Sequence, residues 1–487
     1  MQSILYFRVK NSACKPVLLC VMLASILAGC TVGPNFKPPE QQPPANWSAT
    51  SQVQPGESSV PNSNPADLVN WWKSFNDPVL ASLVERAIRS NLDLKQAEAR
   101  IRQERAARAV AGAAAWPTVA TTGSYTRSGS GGGGGARGNG GADQNLFQIG
   151  LDAAWELDIF GGTRRNIEAA TADLQTARED RRDVLVTLIS DVGTNYINLR
   201  GFQQQIAIAE QNLKAQRHTA DITSRRFGAG YVGALDVANA KAQVATTESQ
   251  VPTLESSAQA SIYSLSVLLG SQPAALVQEL SEEKPIPTTP PEIPVGIPSD
   301  LLRRRPDIRR AEAQLHAATA RIGVATADLF PKFSLTGNFG TLSTDIGNLG
   351  NWASRTYSLG PTISWPIFDA GKIRANIEVQ NALQEQSLLG YQKTVLTAFK
   401  DVETALTAYI KEQEHWKALT ESVVQNLRAV DLSSTLYVAG KTDFLNVLNA
   451  ERSLYLSEDA LVQSTRTLAT DLIALYKALG GGWETEK

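Results

Sequence analysis

The sequence predicts a mainly α-helical protein with a membrane β-barrel portion, built as a tandem repeat of helix, strand, strand, long helix and helix. Two stretches, about 162–227 and 371–437, contain no proline and repeat apolar residues at helical spacing. Such helices would be roughly 100 Å long. Short segments before each stretch alternate between apolar and polar residues, which is typical of strands. Residues of the first half also recur in the second half at a fixed offset.

The tandem repeat is read from identities that fall in one register. At an offset of 210 residues the matches include Gly161 with Gly371, Arg164 with Arg374, Gly230 with Gly440, and Asn239 with Asn449. Further upstream the offset is 214, and the matches include Pro117 with Pro331 and Gly123 with Gly337. The period is far above that of a solenoid. The chain is therefore a duplication of one long unit.

Composition narrows the possible functions. The 487 residues carry a formal net charge of −2. This charge does not indicate a nucleic-acid-binding protein, which would normally be basic. Residues 228–233 match a dinucleotide-binding glycine pattern, but they follow a predicted helix and not a strand. The chain has three histidines, His218, His316 and His415. Their spacing does not match that of metal ligands. We therefore expect neither a dinucleotide site nor a metal site.

The N-terminus has the pattern of a bacterial lipoprotein signal. Basic residues precede an apolar core at 17–28, which is too short for a comfortable membrane span. The core ends in 27–30, Leu-Ala-Gly-Cys, which resembles a lipobox. We predict a signal peptide at 1–29 and lipidation at Cys30, where two or three acyl chains would anchor the protein stably. Thr31, in place of an aspartate, indicates an outer-membrane address. A plain secretory signal with a chance cysteine is the alternative.

The remaining chain divides by composition and pattern. Asp77 is a good helix N-cap, with Pro78 at the first helical position. Other helices are expected at about 92–115, 235–269, 306–329 and 443–479, and Pro252 should kink the second of these. The predicted domains are a signal peptide at 1–29, a lipidated tether at 30–76, a first repeat at 77–270, a proline-rich equatorial strap at 271–304, a second repeat at 305–480 and a tail at 481–487.

Four strands are predicted, two in each repeat. Residues 146–155, 333–339 and 357–365 alternate strictly, and 118–126 alternates more weakly. They have about the length of tilted membrane strands, with aromatic residues near their ends. Pro361 is awkward for a central strand, and a two-sided soluble sheet is the alternative. Because four strands cannot close a barrel and lipid does not tolerate an open sheet edge, several chains must share one barrel.

These residues resemble the TolC-like outer-membrane efflux proteins, in their OprM/NodT-type lipoprotein branch. The most specific matches are the segments 33–39, 72–78, 155–161, 304–308, 365–369 and 478–483. The resemblance implies a homotrimer with a shared twelve-stranded barrel in the bacterial outer membrane and an α-helical tunnel that extends into the periplasm. It also implies an inner-membrane RND-type transporter and a periplasmic adaptor as partners. A duct of this family is expected to have no enzyme activity and no cofactor.

The resemblance also implies candidate sites. The two helix-turn-helix tips would form the periplasmic mouth, where the adaptor or pump would contact Gly228, Gly230, Gly233, Gly440 and Lys441. The resting gate would lie just after the second tip, at Leu445, Asn449 and Arg452. Relatives usually carry an aspartate at the position of Asn449, so hydrogen bonds and Leu445 contacts would have to replace an acidic ring. Plain packing positions on a coiled coil are the alternative.

Three functions are compatible with parts of this pattern. The first is the exit duct of a tripartite efflux pump that passes small molecules such as drugs. The second is the outer-membrane duct of an ATP-driven type I protein secretion system. The lipobox and the glycine-rich ending at 480–483 favour the first over the second. The third, a coiled-coil structural protein or adhesin, conflicts with the four alternating strands.

Overall fold

A computed structural model describes residues 31–48, 60–62, 68–129, 143–290, 292–296 and 298–483. The predicted signal peptide, Cys30 and the glycine run at 131–135 lie outside the described residues. The chain divides into two compact units. The sheet unit is drawn from Met1–Pro39, Ile101–Thr176 and Ala311–Gly390, and the helical unit from Glu40–Arg100, Ala177–Arg310 and Tyr391–Lys487.

The described residues are mostly helical. The helices are α1 (Pro78–Ser90), α2 (Leu92–Ala113), α3 (Gly162–Gly228), α4 (Ala234–Leu268), α5 (Val277–Leu280), α6 (Pro298–Arg304), α7 (Pro306–Ala327), α8 (Lys372–Val438) and α9 (Phe444–Ala478). The strands are β1 (Val60–Asn62), β2 (Thr118–Ser128), β3 (Gln144–Leu157), β4 (Glu292–Pro294), β5 (Lys332–Ser343) and β6 (Arg355–Ser364). The predicted long helices, returning helices and four strands are all present.

The two repeats match element by element. Helices α2 and α7 have 22 residues each, α3 and α8 have 67 each, and α4 and α9 have 35 each. Three pairs of matched glycines share a positive φ, namely Gly161 with Gly371, Gly230 with Gly440, and Gly270 with Gly480. This backbone conformation is one that side chains disfavour and glycine adopts freely. The duplication therefore extends to the turns that bound the long helices.

Helix ends follow the local sequence. The Asp77 carboxylate accepts hydrogen bonds from the backbone N–H groups of Val79 and Leu80, at 2.8 and 3.0 Å, and so caps α1. The Tyr196 hydroxyl donates to the same carboxylate at 2.7 Å. Pro252 does not end α4, which continues through it to Leu268. The proline therefore does not divide the helix, and the kink expected at Pro252 stays a prediction.

The main sheet is antiparallel, in the order β2-β3-β5-β6. Gly150 of β3 faces Thr122 of β2 on one side and Gly340 of β5 on the other. Among the described residues, β2 and β6 are edges, each paired on one side only. Pro361 lies in edge strand β6, where a proline is tolerated. The sheet thus ends on both sides in strands with free pairing capacity.

Large apolar side chains of the sheet are exposed. More than half of the surface of Tyr125, Ile149, Phe339, Tyr357 and Leu359 is accessible. All five have odd numbers and lie on strands that pair odd with odd residues, so they share one face. An apolar face of this kind needs a cover. Separately, no single described helix is long and apolar enough to cross a membrane, and one bent pair, Ala234–Leu268 with Pro273–Leu280, could do so by length and composition alone.

The helical unit has an aromatic core next to α1. Trp71, Trp72 and Phe75 are almost fully buried, and Tyr476 of α9 stacks on Trp71 with ring centroids 5.1 Å apart. Gly481 lies so close to the Leu68 carbonyl that a Cβ there would be 2.8 Å from it. The segment 72–78 and the glycine-rich ending, both noted in the sequence, therefore meet in one packed cluster.

Candidate functional site

The two helix-turn-helix tips close in the same way. After α3, the Gly230 N–H donates to Phe227 O and the Tyr231 N–H to Arg226 O, both at 2.9 Å. After α8, the matching bonds run from Gly440 to Tyr437 at 3.0 Å and from Lys441 to Leu436 at 2.9 Å. A positive-φ glycine with crossed hydrogen bonds to the last turn is the Schellman ending of a helix. The positive φ of these turns therefore explains why glycine stands at positions 230 and 440.

The other two tip glycines have a different place. Gly228 is the last residue of α3, and a Cβ there would meet no atom within 4 Å. Gly233 caps α4 with an extended φ of −87°, and its N–H donates to the Asp236 carboxylate at 3.2 Å. Other residues can adopt both conformations. Among the predicted tip residues, the turn itself depends on Gly230 and Gly440.

A small apolar cluster joins the two tips. Its buried members come from all four tip helices and are Ala220, Ala240, Tyr437, Phe444 and Val447. Arg226 of α3 reaches across, donates to the Tyr437 carbonyl at 2.9 Å and places its guanidinium 4.4 Å from the Tyr437 ring centre. A cation–π contact of this kind contributes about 0.5–1 kcal/mol where it is exposed. The first and second tips are thus held together within one chain.

Above the tips, α9 is fastened to α3 by polar pairs. Thr219 donates to Glu451 at 2.7 Å, Asn212 to Glu458 at 2.8 Å, and Gln205 to Asp459 at 2.6 Å; in each pair an acid of α9 accepts from a polar group of α3. Burial raises the pKa of Glu451, and the Thr219 hydrogen bond offsets part of that rise. These pairs cover one face of α9.

The predicted gate residues lie on another face of α9. Leu445 is 55 % exposed, and Asn449 and Arg452 are also exposed. Their spacing of four and then three residues places them in one row along the helix. Leu456 continues the row and is 54 % exposed. The same helical spacing therefore adds Leu456 to the row of predicted gate residues.

The N-terminal segment docks onto the start of α3. The Val32 N–H donates to Phe160 O at 3.1 Å. Arg165, only 3 % exposed, donates to Val32 O at 3.1 Å and to the Asn35 side chain at 2.6 Å, and pairs with Glu168 at 2.7 Å. A buried guanidinium needs partners of this kind for its donors. Arg165 therefore clamps the segment that directly follows Cys30.

An aromatic pair completes this docking. Phe36 stacks on His316 of α7, with ring centroids 4.4 Å apart, and His316 Nε2 lies 2.9 Å from a Glu168 oxygen. Burial alone would raise the pKa of Glu168, but hydrogen bonds from His316 and Arg165 lower it below its usual value. His316 is therefore a packing and hydrogen-bonding residue. Its partners are distant in sequence, so no local pattern could have identified them.

The arginine-rich segment 304–308 also has a structural task. Arg305 pairs with Asp307 at 2.7 Å and donates to the Ala478 carbonyl at 2.9 Å, which caps the end of α9. Trp483 lies between two guanidiniums, with Arg182 at 4.6 Å and Arg309 at 5.2 Å from its ring. Among the described residues, no group of three or more His, Cys, Asp or Glu side chains is placed to hold a metal ion.

Comparison with known proteins identifies the fold and the family. A family model described as "Outer membrane efflux protein" matches residues 83–271 and 297–481. The chain belongs to this family. The pyoverdine export outer membrane protein OpmQ of Pseudomonas aeruginosa is 37 % identical over 87 % of this chain and 90 % of its own length. Nodulation protein T of Rhizobium leguminosarum bv. trifolii is 34 % identical over 94 % and 96 %.

A solved structure agrees with the sequence comparisons. The outer-membrane channel OprN has 36 % identity and a TM-score of 0.86, and the match covers 93 % of this chain and 100 % of that one. The resemblance to TolC-like efflux proteins of the OprM/NodT type is therefore confirmed. The efflux-duct interpretation is also supported over the protein-secretion alternative.

Proposed function

We propose that three copies of this chain form the exit duct of a tripartite efflux pump in the bacterial outer membrane. The observation that carries the proposal is a four-stranded sheet with an exposed apolar face and two edges that no described strand pairs. Lipid cannot satisfy the backbone groups of an open edge. Edge strands of neighbouring copies can satisfy them, and four strands from each of three copies close a twelve-stranded barrel.

The other face of the sheet suits a lumen for varied cargo. Its residues are mostly hydroxyls and amides such as Thr122, Ser124, Asn338, Ser358 and Thr362. A polar lining with few charges lets water fill the pore and selects weakly among solutes. Cargo selection then belongs to the inner-membrane RND-type transporter, and small organic molecules such as drugs are the class we propose. The duct needs no catalysis and no cofactor.

The helical tips form the periplasmic mouth in this proposal. Leu445, Asn449 and Arg452 of each copy face a common axis and narrow it in the resting state. The tip residues Gly228, Gly230, Gly233, Gly440 and Lys441 surround the surface that contacts the periplasmic adaptor or the pump.

The gate is tested by single-channel conductance in planar bilayers. The double variant Leu445→Ala with Asn449→Ala should raise the conductance of the closed channel, because it removes side chains from the narrowest point. The matched control is Leu235→Ala with Asn239→Ala, the same residue types at the twin positions of α4. Equal conductance in the gate variant and the control would place the constriction elsewhere.

We also propose that Cys30 carries the lipid anchor. Thr31 lies against Gly161 at the junction of β3 and α3, so an acylated Cys30 would enter the membrane beside the proposed barrel. Fatty-acid labelling of growing cells should mark the wild type and should be lost in Cys30→Ser. Labelling that persists in the variant would contradict the anchor.

The whole assembly is tested by mild cross-linking in intact cells followed by mass spectrometry. A proton-driven transporter and an adaptor captured with this chain would support the efflux duct. An ATP-driven exporter captured in their place would transfer the protein to the secretion class. Strains that lack the chain should become more sensitive to several unrelated drugs in the first case and should lose a secreted protein in the second.

A further inference from the structure

The repeat offsets reproduce backbone pairing. In the first hairpin, Thr118 of β2 faces Ala154 of β3. The offsets of 214 and 210 carry these two residues to Lys332 and Ser364, and these face each other in the second hairpin. The repeat therefore conserves strand register as well as strand position. A pairing seen at one place in the sheet can be carried to its twin.

The seam between the two repeats is a further pairing of this kind. Strand β3 ends the first repeat's hairpin and β5 begins the second one, and they pair with Ala154 opposite Thr336 and Asp152 opposite Asn338. Beside the seam, Phe160 stacks on Phe330 with ring centroids 4.6 Å apart. This seam joins the last strand of one repeat to the first strand of the next.

The twin of this seam is missing from the single chain. It would join β6, the last strand of the second repeat, to β2, the first strand of a first repeat. Within the described part of the chain, these two strands are the edges of the sheet. Within one chain they are three strand spacings apart, about 14 Å, and so cannot pair. The twin seam needs a second copy of this chain.

We infer that β6 of one copy pairs antiparallel with β2 of a second copy, with Thr362 opposite Ser124 and Ser364 opposite Thr122. These pairs follow when the offsets are applied to the seam between β3 and β5. The inference rests on the proposed shared barrel and adds its register. Thr126 stands at the twin position of Gly340. The inferred seam therefore repeats the register of the seam within the chain, but it lacks the glycine at which the strands of that seam approach each other most closely.

The faces of the two edges agree with this register. A slip of one residue would turn the apolar face of one strand onto the polar face of the other. The inferred register pairs odd with odd residues, as in the pairs within the chain, so Tyr125 and Pro361 lie on the same face. The small hydroxyl residues named above meet on the other face without like charges.

Exposed aromatic residues flank the same end of the inferred seam. Trp116, the twin of Phe330, precedes β2 and is 73 % exposed. Ile367 and Phe368 follow β6 and are 88 % and 89 % exposed. In the seam within the chain, the corresponding place holds the Phe160–Phe330 stack. The offsets carry Phe330 to Trp116 but Phe160 to Ala370, so the aromatic stack itself is not repeated at the inferred seam. A second copy in the inferred register brings Trp116 beside the exposed segment 367–370.

Paired cysteines test the register directly. The three native cysteines are Cys14 and Cys20 of the predicted signal peptide and Cys30 of the predicted anchor, so the mature strands offer a clean background. Thr362→Cys with Ser124→Cys, and Ser364→Cys with Thr122→Cys, place cysteines opposite each other in the inferred register. Exchanging the partners, Thr362→Cys with Thr122→Cys and Ser364→Cys with Ser124→Cys, shifts the register by two residues but keeps the face.

The expected result is a set of disulfide-linked dimers and trimers on denaturing gels for the two in-register variants, at about tenfold the yield of the exchanged variants. Diagonal partners lie about 7–8 Å apart, beyond the Cα separation of most disulfides. The control is Ala154→Cys with Thr336→Cys, which pair within the chain. It should form a disulfide without joining chains.

The possible outcomes separate the inference from the proposed function. Chain-joining disulfides that form mainly in the exchanged variants would overturn the register and leave the shared barrel in place. If none of the four double variants joins chains while the control forms its disulfide, the shared barrel fails as well.

Discussion

The two repeats have the same backbone elements but differ in what covers the junction between strand and long helix. In the first repeat, Thr31 packs so close to Gly161 that a Cβ there would lie 2.5 Å from it, and Phe160 stacks on Phe330. In the second repeat, a Cβ on Gly371 would meet nothing within 4 Å. The two junctions therefore share a backbone conformation, but only the first is covered by contacting side chains. In the proposed trimer, a neighbouring copy would cover the open junction of the second repeat.

The repeats also differ in their interiors. At twin positions the first repeat has Phe202 and Ser261, whereas the second has Glu412 and Asp471. Burial, followed by repulsion from Glu412, raises the pKa of Asp471 to about 6. An apolar and polar pair in one repeat thus corresponds to two neighbouring acids in the other. At these twin positions the second repeat therefore carries an electrostatic cost that the first repeat lacks.

The largest expected effect tests the covered junction of the first repeat. Arg165→Ala should lower the free energy of unfolding by about 3 kcal/mol, because it leaves Glu168 and the carbonyls of the N-terminal segment without their buried partner. The segment 31–48 should then become a substrate for a non-specific protease. Thermal unfolding in detergent and limited proteolysis measure the two effects.

The control for this prediction is Arg374→Ala, an exposed arginine in the first turn of α8. It should leave both measurements unchanged. If Arg165→Ala also keeps the N-terminal segment resistant to protease, the segment is held by contacts other than this clamp.

Much of the fold could be predicted because proline and glycine mark the element ends. The long helix expected at about 371–437 is observed at Lys372–Val438. Strands are longer than their alternation suggested, and β5 continues to Ser343. Backbone pairing with β3 extends through Gly340 and Thr341, which carry little apolar signal. Pairing of this kind depends on the neighbouring strand and leaves no mark in the strand's own pattern.

The candidate site was predictable in a different way. The family resemblance supplied Leu445, Asn449 and Arg452 as gate residues, which stay a prediction, and helical spacing adds only that they lie in one row. The clamp at Arg165 could not be found, since its partners come from about 130 residues away. Pro252 lies inside a continuous α4, although a proline removes one helical hydrogen bond. Buried residues lie before and after it along the helix, at Thr247 and Ala258.

The next effect in size tests the shared turns. Gly440→Ala should destabilise the second tip by about 1–2 kcal/mol, since the residue has a φ of +68°. Gly230→Ala should cost about the same in the first tip. Hydrogen exchange at the amides of the tip residues measures the loosening.

The matched control for the turns is Gly228→Ala, which should change the stability of the tip in the opposite direction. Gly228 is helical and its Cβ position is open, and its twin in the second repeat is already Val438. An alanine there should stabilise the tip by about 0.4–1 kcal/mol through the unfolded chain. Equal destabilisation by all three alanines would show that the tips tolerate no side chain, irrespective of φ.

The smallest effect tests the acidic interior of the second repeat. A raised carboxyl pKa means that the folded protein binds the proton more tightly than the unfolded chain, so stability falls as pH rises from about 4 to about 6 and then stays level. Asp471→Asn should therefore be more stable than the wild type at pH 7.5 by about 1 kcal/mol, after allowance for solvent screening. Near pH 4 the two proteins should unfold alike.

The exposed Asp431→Asn on α8 serves as the control and should show no such dependence. A constant advantage of Asp471→Asn at both pH values would assign its effect to packing, because ionisation of the wild-type carboxyl is the only part of the difference that changes with pH.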